Sequence, residues 1–259
     1  MKVLAKGSAP FFSFFLILFF SLNVAAQTNT VTFKVLAIAE NGGHHIKYSE
    51  AAKVWLNKLA AENKFSIDYI ENTNKINDAF LSQYQLFIQL DFPPYAWTPT
   101  AGAAFEKYLK EGKGGWIGFH HATLLGEFDG YPVWSWFSDF MGDIKYKNYI
   151  ATFASAKVNI ENKNHPVMKD VPASFIVKKE EWYIYDKSPR PNVQVLASVD
   201  EATYKPDSKI KMGDHPVVWS NTAVAAKNVY IFMGHSADLF QNPAYIMLFK
   251  NAVFWAAQK

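Results

Sequence analysis

Cysteine is missing from all 259 residues of this chain. That absence excludes disulfide staples, a thiolate nucleophile and any thiolate metal site. An excess of charge is missing too. Charged residues make up 19% of the chain, 26 basic against 23 acidic, with no clustered basic stripe of the kind that binds nucleic acid. No HExxH metal spacing, no Walker phosphate loop and no GxGxxG fingerprint is present, so the common sequence signs of a zinc protease and of nucleotide binding are lacking. Nor is there an internal repeat or a low-complexity linker.

The first 26 residues have the three parts of a secretory signal. Lys2 and Lys6 make a basic start, residues 11–20 form an almost unbroken apolar run, and Val24-Ala25-Ala26 puts small residues at the cleavage positions. The apolar run is too short to span a bilayer. An uncleaved anchor is the competing reading, and the well-formed small-residue site argues against it. Cleavage after Ala26 leaves residues 27–259 as a single domain with no stable membrane anchor, periplasmic or secreted. The signal takes Lys2 and Lys6 with it, so the 26 basic residues become 24 against 23 acidic ones, a net charge of about +1. About 230 residues can bury a sufficient core without disulfides.

Strand and helix patterns alternate through the first half. Residues 33–39 read as a buried strand, 49–63 as a helix with Ser49 as N-cap, 65–70 as a strand and 76–82 as a short helix. Residues 86–90 form a third strand. A helix capped by Thr98 with Pro99 in its first turn runs to Leu109, and Gly115 to Phe119 is a fourth strand. Residues 122–148 read as a long aromatic loop. Strand-like runs follow near 150–160, 173–178, 193–199 and 215–220. The last unit is a strand over 229–233 and a helix capped by Asn242-Pro243. This order predicts an α/β fold, doubly wound, with a mostly parallel sheet and helices on both faces.

In such sheets ligands bind beyond the carboxyl ends of the strands. His44 and His45 follow the first strand, Asp91 the third, His120 and His121 the fourth, and His235 the last. Five of the seven histidines thus fall on one expected edge, and imidazole is the side chain best suited to proton transfer near neutral pH. His120, on a tight turn after its strand, is the first choice for a general acid or base. Within Glu180-Glu181-Trp182-Tyr183, strand alternation sends adjacent carboxylates to opposite faces, and Glu181 is taken as the functional one. Trp134, Trp136 and Trp182 could supply an apolar platform for a sugar ring. His215, after Asp214, offers a further contact or a plain structural pair. His44, His45, His120 and His235 with Glu181 also present the N and O donors that zinc or another divalent ion accepts, with His45, His120 and His235 the first choices.

Several motifs together resemble one family. Gly114-Gly115-Trp116-Ile117-Gly118-Phe119-His120 is similar to the GG-x-x-G-x-H turn of the ThuA-like, or trehalose-utilisation, family. His165-Pro166-Val167 followed by Glu180-Glu181-Trp182-Tyr183 resembles its HP-[IV] and [DE]-E-x-Y pairing. His215-Pro216-Val217-Val218-Trp219 is similar to its P-[VL]-x-W strand, and residues 228–235 with Asn242-Pro243 and Trp255-Ala256 to its closing unit. The resemblance spans residues 33–257.

It implies a class I glutamine amidotransferase-like, flavodoxin-like fold in which the Gly118-Phe119-His120 turn stands where amidotransferases carry a cysteine nucleophile. Without cysteine, glutamine hydrolysis by that route is excluded. The family context implies carbohydrate metabolism: trehalose, other disaccharides or keto-glycosides. The expected reading is acid–base chemistry on a sugar, with His120, Glu181 and His235 catalytic. His44, His45, Asp91, His121, Trp134, Trp136, Trp182, Tyr183 and His215 would bind the substrate. A non-catalytic carbohydrate-binding protein and a metal-dependent hydrolase are the alternatives.

Overall fold

The computed structural model describes Met1 and residues 32–39, 44–126 and 132–258. Residues 2–31, which hold most of the expected signal, and residues 40–43, 127–131 and 259 lie outside the described residues. Val31–Lys259 forms one compact unit. Among the described residues no helix is long and apolar enough to cross a membrane.

Five strands make the parallel half of a nine-stranded sheet: β1 (Lys34–Ala39), β2 (Ser66–Ile70), β3 (Leu86–Leu90), β4 (Gly115–Phe119) and, near the end of the chain, β11 (Asn228–Ile231). Their order is β2-β1-β3-β4-β11, every neighbouring pair parallel. This is the doubly wound, flavodoxin-like arrangement, with its switch point between β1 and β3. Strands β3 and β4 are buried along their whole length and β1 from Val35 onward, as helices on both faces require.

Trp116 and Phe119 show the two layers. Three residues apart on β4, they face opposite sides of the sheet. Trp116 packs against Phe105 of α3 (Pro99–Lys110) and against Phe137 and Phe140 of α4 (Ser135–Phe140). Phe119 meets Tyr48 of α1 (Ile46–Asn63) and Phe249 of α5 (Pro243–Ala256). The short α2 (Asp78–Leu81) follows β2 and packs against α3.

The second half continues the sheet as an antiparallel wing: β10 (Pro216–Ser220), β9 (Gln194–Lys205), β6 (Ala154–Ile160) and β7 (Ser174–Glu180). Strand β6 alternates buried and half-buried residues, the mark of a sheet covered on one face. A separate ribbon pairs β5 (Tyr146–Tyr149) with β8 (Tyr183–Tyr185).

Two sequence expectations are corrected. Helix α1 starts at Ile46, not Ser49. His45 occupies the N-cap position, without a side-chain cap bond, and its carbonyl accepts the Ser49 N–H at 3.1 Å. Ser49 sits one turn inside, buried. The stretch 122–148 is also not one loop. It holds α4 and β5, and stacked aromatics anchor the helix: Trp134 lies on Phe137 with centroids 5.1 Å apart, and Trp136 on Phe140 at 5.5 Å.

Candidate functional site

Three strand exits converge at the carboxyl edge of the parallel strands. Asp91 leaves β3 with φ 50° and His120 leaves β4 with φ 31°, left-handed conformations costing an L-residue about 1–3 kcal/mol each. Gly234, just beyond β11, allows this crowding. A Cβ there would stand 2.7 Å from the His120 Cβ and 2.8 Å from an Asp91 carboxylate oxygen. Glycine is therefore required for close approach, not for turn geometry.

The side chains meet at one point. His45 Nε2 lies 2.7 Å from His235 Nδ1. Glu181 Oε2 lies 3.5 Å from His120 Nε2, 3.7 Å from His235 Nδ1 and 3.9 Å from His45 Nε2. All four ligand atoms fall within 4.8 Å of one another. His120 Nδ1 donates to the Phe232 carbonyl at 3.2 Å, which leaves Nε2 as the bare, acceptor nitrogen. That nitrogen is buried and takes no hydrogen bond. His121, next along the chain, turns its Nδ1 to the Asp91 carbonyl at 3.1 Å.

Protonation follows from burial. Burial lowers the His45 pKa far below the usual imidazole value, and the His120, His121 and His235 rings lower it further. His120 is lowered by its complete burial and by His121 and His235. His235 is lowered by burial, with Glu181 opposing. All three are neutral imidazoles at neutral pH, with lone pairs available. Glu180, fully buried, is pushed up to about 8 by desolvation, against backbone N–H groups of Glu181, His235 and Gly234 that favour its anion.

Over this cluster opens a cleft of about 400 Å³, within the range of small-molecule sites. His44, His45, His121, Glu181, Tyr183 and His235 line it, as do Tyr146, Tyr149 and Phe153. His120 forms the floor, shut off from solvent beneath the Tyr183 ring 4.3 Å away. Asp91 is buried below, beside Gly234.

Six of the expected site residues do not line this cleft: His120 and Asp91 are buried beneath it, and four lie elsewhere. Trp182 is fully buried, stacked on Phe232 with its indole N–H on the Ala154 carbonyl at 2.9 Å. His215 is buried against Glu201 at 2.9 Å, a structural pair. Trp134 borders a different hollow with Trp97 and Pro94, and Trp136 packs on Phe140 below Lys110.

The aromatic wall of the cleft is instead Tyr146, Tyr149 and Phe153, which sequence reasoning missed. Glu180 was missed for a definite reason. Alternation breaks at Lys179, φ 51°, beside a register shift in the β6–β7 pairing, so both carboxylates turn toward His120.

The ThuA family model, described as trehalose utilisation, matches residues 34–256. A ThuA-like protein from Bacteroides uniformis is 31% identical with a TM-score of 0.77, covering 86% of this chain and 91% of that one. A ThuA-like protein from Parabacteroides merdae is 20% identical, TM-score 0.63, over 87% and 90%. A GMP synthase protein from Thermoplasma acidophilum shares the fold at 11% identity, TM-score 0.55, over 87% and 94%, consistent with the class I glutamine amidotransferase-like architecture. No curated protein matches the chain.

Proposed function

The chain belongs to the ThuA family of trehalose utilisation, and from that premise we propose that it is an exported enzyme that moves protons on a bound disaccharide or keto-glycoside. The observation that carries this reading is the convergence of three neutral imidazoles and one carboxylate at the floor of the cleft. Export rests on the basic start, apolar run and small-residue site of residues 1–26.

The aromatic faces of Tyr146, Tyr149 and Phe153 suit the apolar face of a sugar ring, and Phe153 is 48% exposed, open to a ligand. His235 and His121 in the wall would hydrogen-bond sugar oxygens. A carbonyl in the sugar acidifies the neighbouring C–H. Glu181 then accepts that proton, the C–H electron pair forms the enolate C=C bond, and the carbonyl pair moves onto oxygen. Returning the proton to another atom completes an isomerisation. Expelling a group from the β position instead completes an elimination. Neither course needs a covalent enzyme intermediate, in keeping with a chain that has no cysteine.

Proton NMR of the mature chain, residues 27–259, in deuterated water tests this with trehalose, other disaccharides and their keto-glycosides. Deuterium exchange or product formation that disappears in Glu181→Gln supports it. Sugar line broadening with no conversion, equal in both proteins, would instead make the chain a binding protein.

A further inference from the structure

One pair of the four ligand atoms at the floor of the cleft is electrostatically mismatched. His120 Nδ1 is committed to the Phe232 carbonyl, so the lone pair of Nε2 faces Glu181 Oε2 across 3.5 Å. An acceptor thus faces an acceptor with no proton between them. The imidazole is wholly buried, and its Nε2 has no hydrogen-bond partner. Such a buried polar atom is destabilising unless something compensates it. Beside it, His45 Nε2 and His235 Nδ1 approach to 2.7 Å, which is tolerable if one carries a proton or if a cation draws both lone pairs.

From this arrangement we infer that His45 Nε2, His120 Nε2, His235 Nδ1 and Glu181 Oε2 bind one divalent transition-metal ion, zinc or an ion of like preference. Metal–ligand bonds of about 2.0–2.1 Å in a tetrahedron place ligand atoms about 3.3–3.4 Å apart. Four of the six separations, 2.7, 3.5, 3.7 and 3.9 Å, bracket that edge and all six lie within 4.8 Å, so side-chain adjustments without any backbone rearrangement close the site. Three nitrogens with one carboxylate oxygen suit zinc, iron, cobalt or nickel, and do not suit magnesium or calcium, which prefer all-oxygen shells. The Phe232 carbonyl supplies the outer-shell hydrogen bond that fixes a ligating histidine's tautomer.

This inference rests on reading the cleft as the catalytic site, and it refines the substrate class. His235 and Glu181, the most exposed of the four, place the ion against the cleft, where the carbonyl oxygen of a keto-sugar could enter as a fifth ligand. The ion would then polarise the carbonyl, while Glu181, bound through one oxygen, keeps the other for the proton.

The test uses the mature chain stripped with chelator and titrated calorimetrically with zinc chloride alone. Binding of one zinc per chain is expected, weakened by more than about 100-fold in His235→Ala and in Glu181→Gln and unchanged in His44→Ala, with circular dichroism confirming that all three variants fold. Substoichiometric uptake, or uptake that the first two variants leave intact, would overturn the site. A sugar assay on the same samples separates the two readings. Stoichiometric zinc without any sugar conversion sinks the proposed activity and leaves the site standing. Full conversion by the zinc-free chain upholds the activity and overturns the ion's part in it.

Discussion

Glu180 and Glu181 are neighbours in the chain, yet they approach opposite nitrogens of one imidazole. Glu180 Oε1 lies 3.7 Å from His120 Nδ1, and Glu181 Oε2 lies 3.5 Å from Nε2. A regular strand would have sent them to opposite faces of the sheet. The left-handed Lys179 and the end of β7 at Glu180 bring both to the same ring. Their surroundings differ: Glu180 is sealed in, whereas Glu181 borders the cleft.

That difference predicts an unusual pH dependence of stability. Burial raises Glu180 to about 8 in the folded chain, from an ordinary value of 4.5. Between those limits the folded state holds a proton that the unfolded state has lost, so stability falls as pH rises through the window, by at most about 1.4 kcal/mol per pH unit. Glu180→Gln keeps an acceptor for the backbone N–H groups and cannot ionise. Urea unfolding of both proteins from about pH 5 to about pH 8 should show the variant gaining on the wild type as pH rises. Parallel stability curves would contradict a protonated Glu180.

Gly234→Ala should damage the site through packing alone. The added methyl would lie 2.7 Å from the His120 Cβ and 2.8 Å from Asp91 Oδ1, and the Cβ, fixed to its backbone, cannot swing aside. Overpacking of this kind costs about 1–3 kcal/mol. Relief must come from moving His120, whose backbone is already left-handed. The variant should therefore unfold at lower urea and lose turnover beyond its share of unfolded protein. Wild-type stability and turnover would show that the three strand exits have room to spare.

Much of this arrangement was legible in the sequence because it depends on strand ends. Continuous apolar runs marked β1, β3 and β4, and their exits supplied His45, Asp91 and His120 to one edge without any knowledge of packing. What could not be read was which side chains turn inward. Trp182 resembles a sugar platform in sequence, but its position just past β7 puts the indole in the core, where Ala154 satisfies its N–H. Tyr149 and Phe153 carry no motif. Tyr149 reaches the cleft because β5 pairs with β8, a contact between segments far apart in the chain, and Phe153 follows between β5 and β6.

His215 illustrates the structural use of histidine, with its own acid signature. Burial pushes Glu201 up, but His215 and the N–H groups of Met212 and Gly213, each 2.7 Å away, outweigh it and hold the carboxyl below 4.5. A depressed carboxyl stabilises the fold above its unfolded pKa, and that contribution disappears as pH falls through the folded value. Glu201→Gln should thus be less stable than wild type at neutral pH, by about 1–3 kcal/mol, with the deficit shrinking below about pH 4. An acid unfolding series checks this, and a deficit that stays constant at low pH would remove Glu201 as its cause.

Trp182 and Phe153 separate core from cleft most directly. Trp182→Phe deletes the N–H bonded to the Ala154 carbonyl and leaves that buried oxygen without its partner, a loss of about 1–3 kcal/mol. Because the indole does not line the cleft, KM for any converted sugar should stay at the wild-type value below the unfolding transition. Phe153 is the reverse case. It is 48% exposed, and its ring lies 4.4 Å from that of His235. Phe153→Ala should leave stability within about 0.5 kcal/mol, yet weaken sugar binding about 3- to 10-fold through the lost stacking face. Thermal melts paired with sugar titrations of both variants read the two effects separately. If Trp182→Phe weakened sugar binding while Phe153→Ala did not, the sugar would lie elsewhere than against the β5–β8 ribbon.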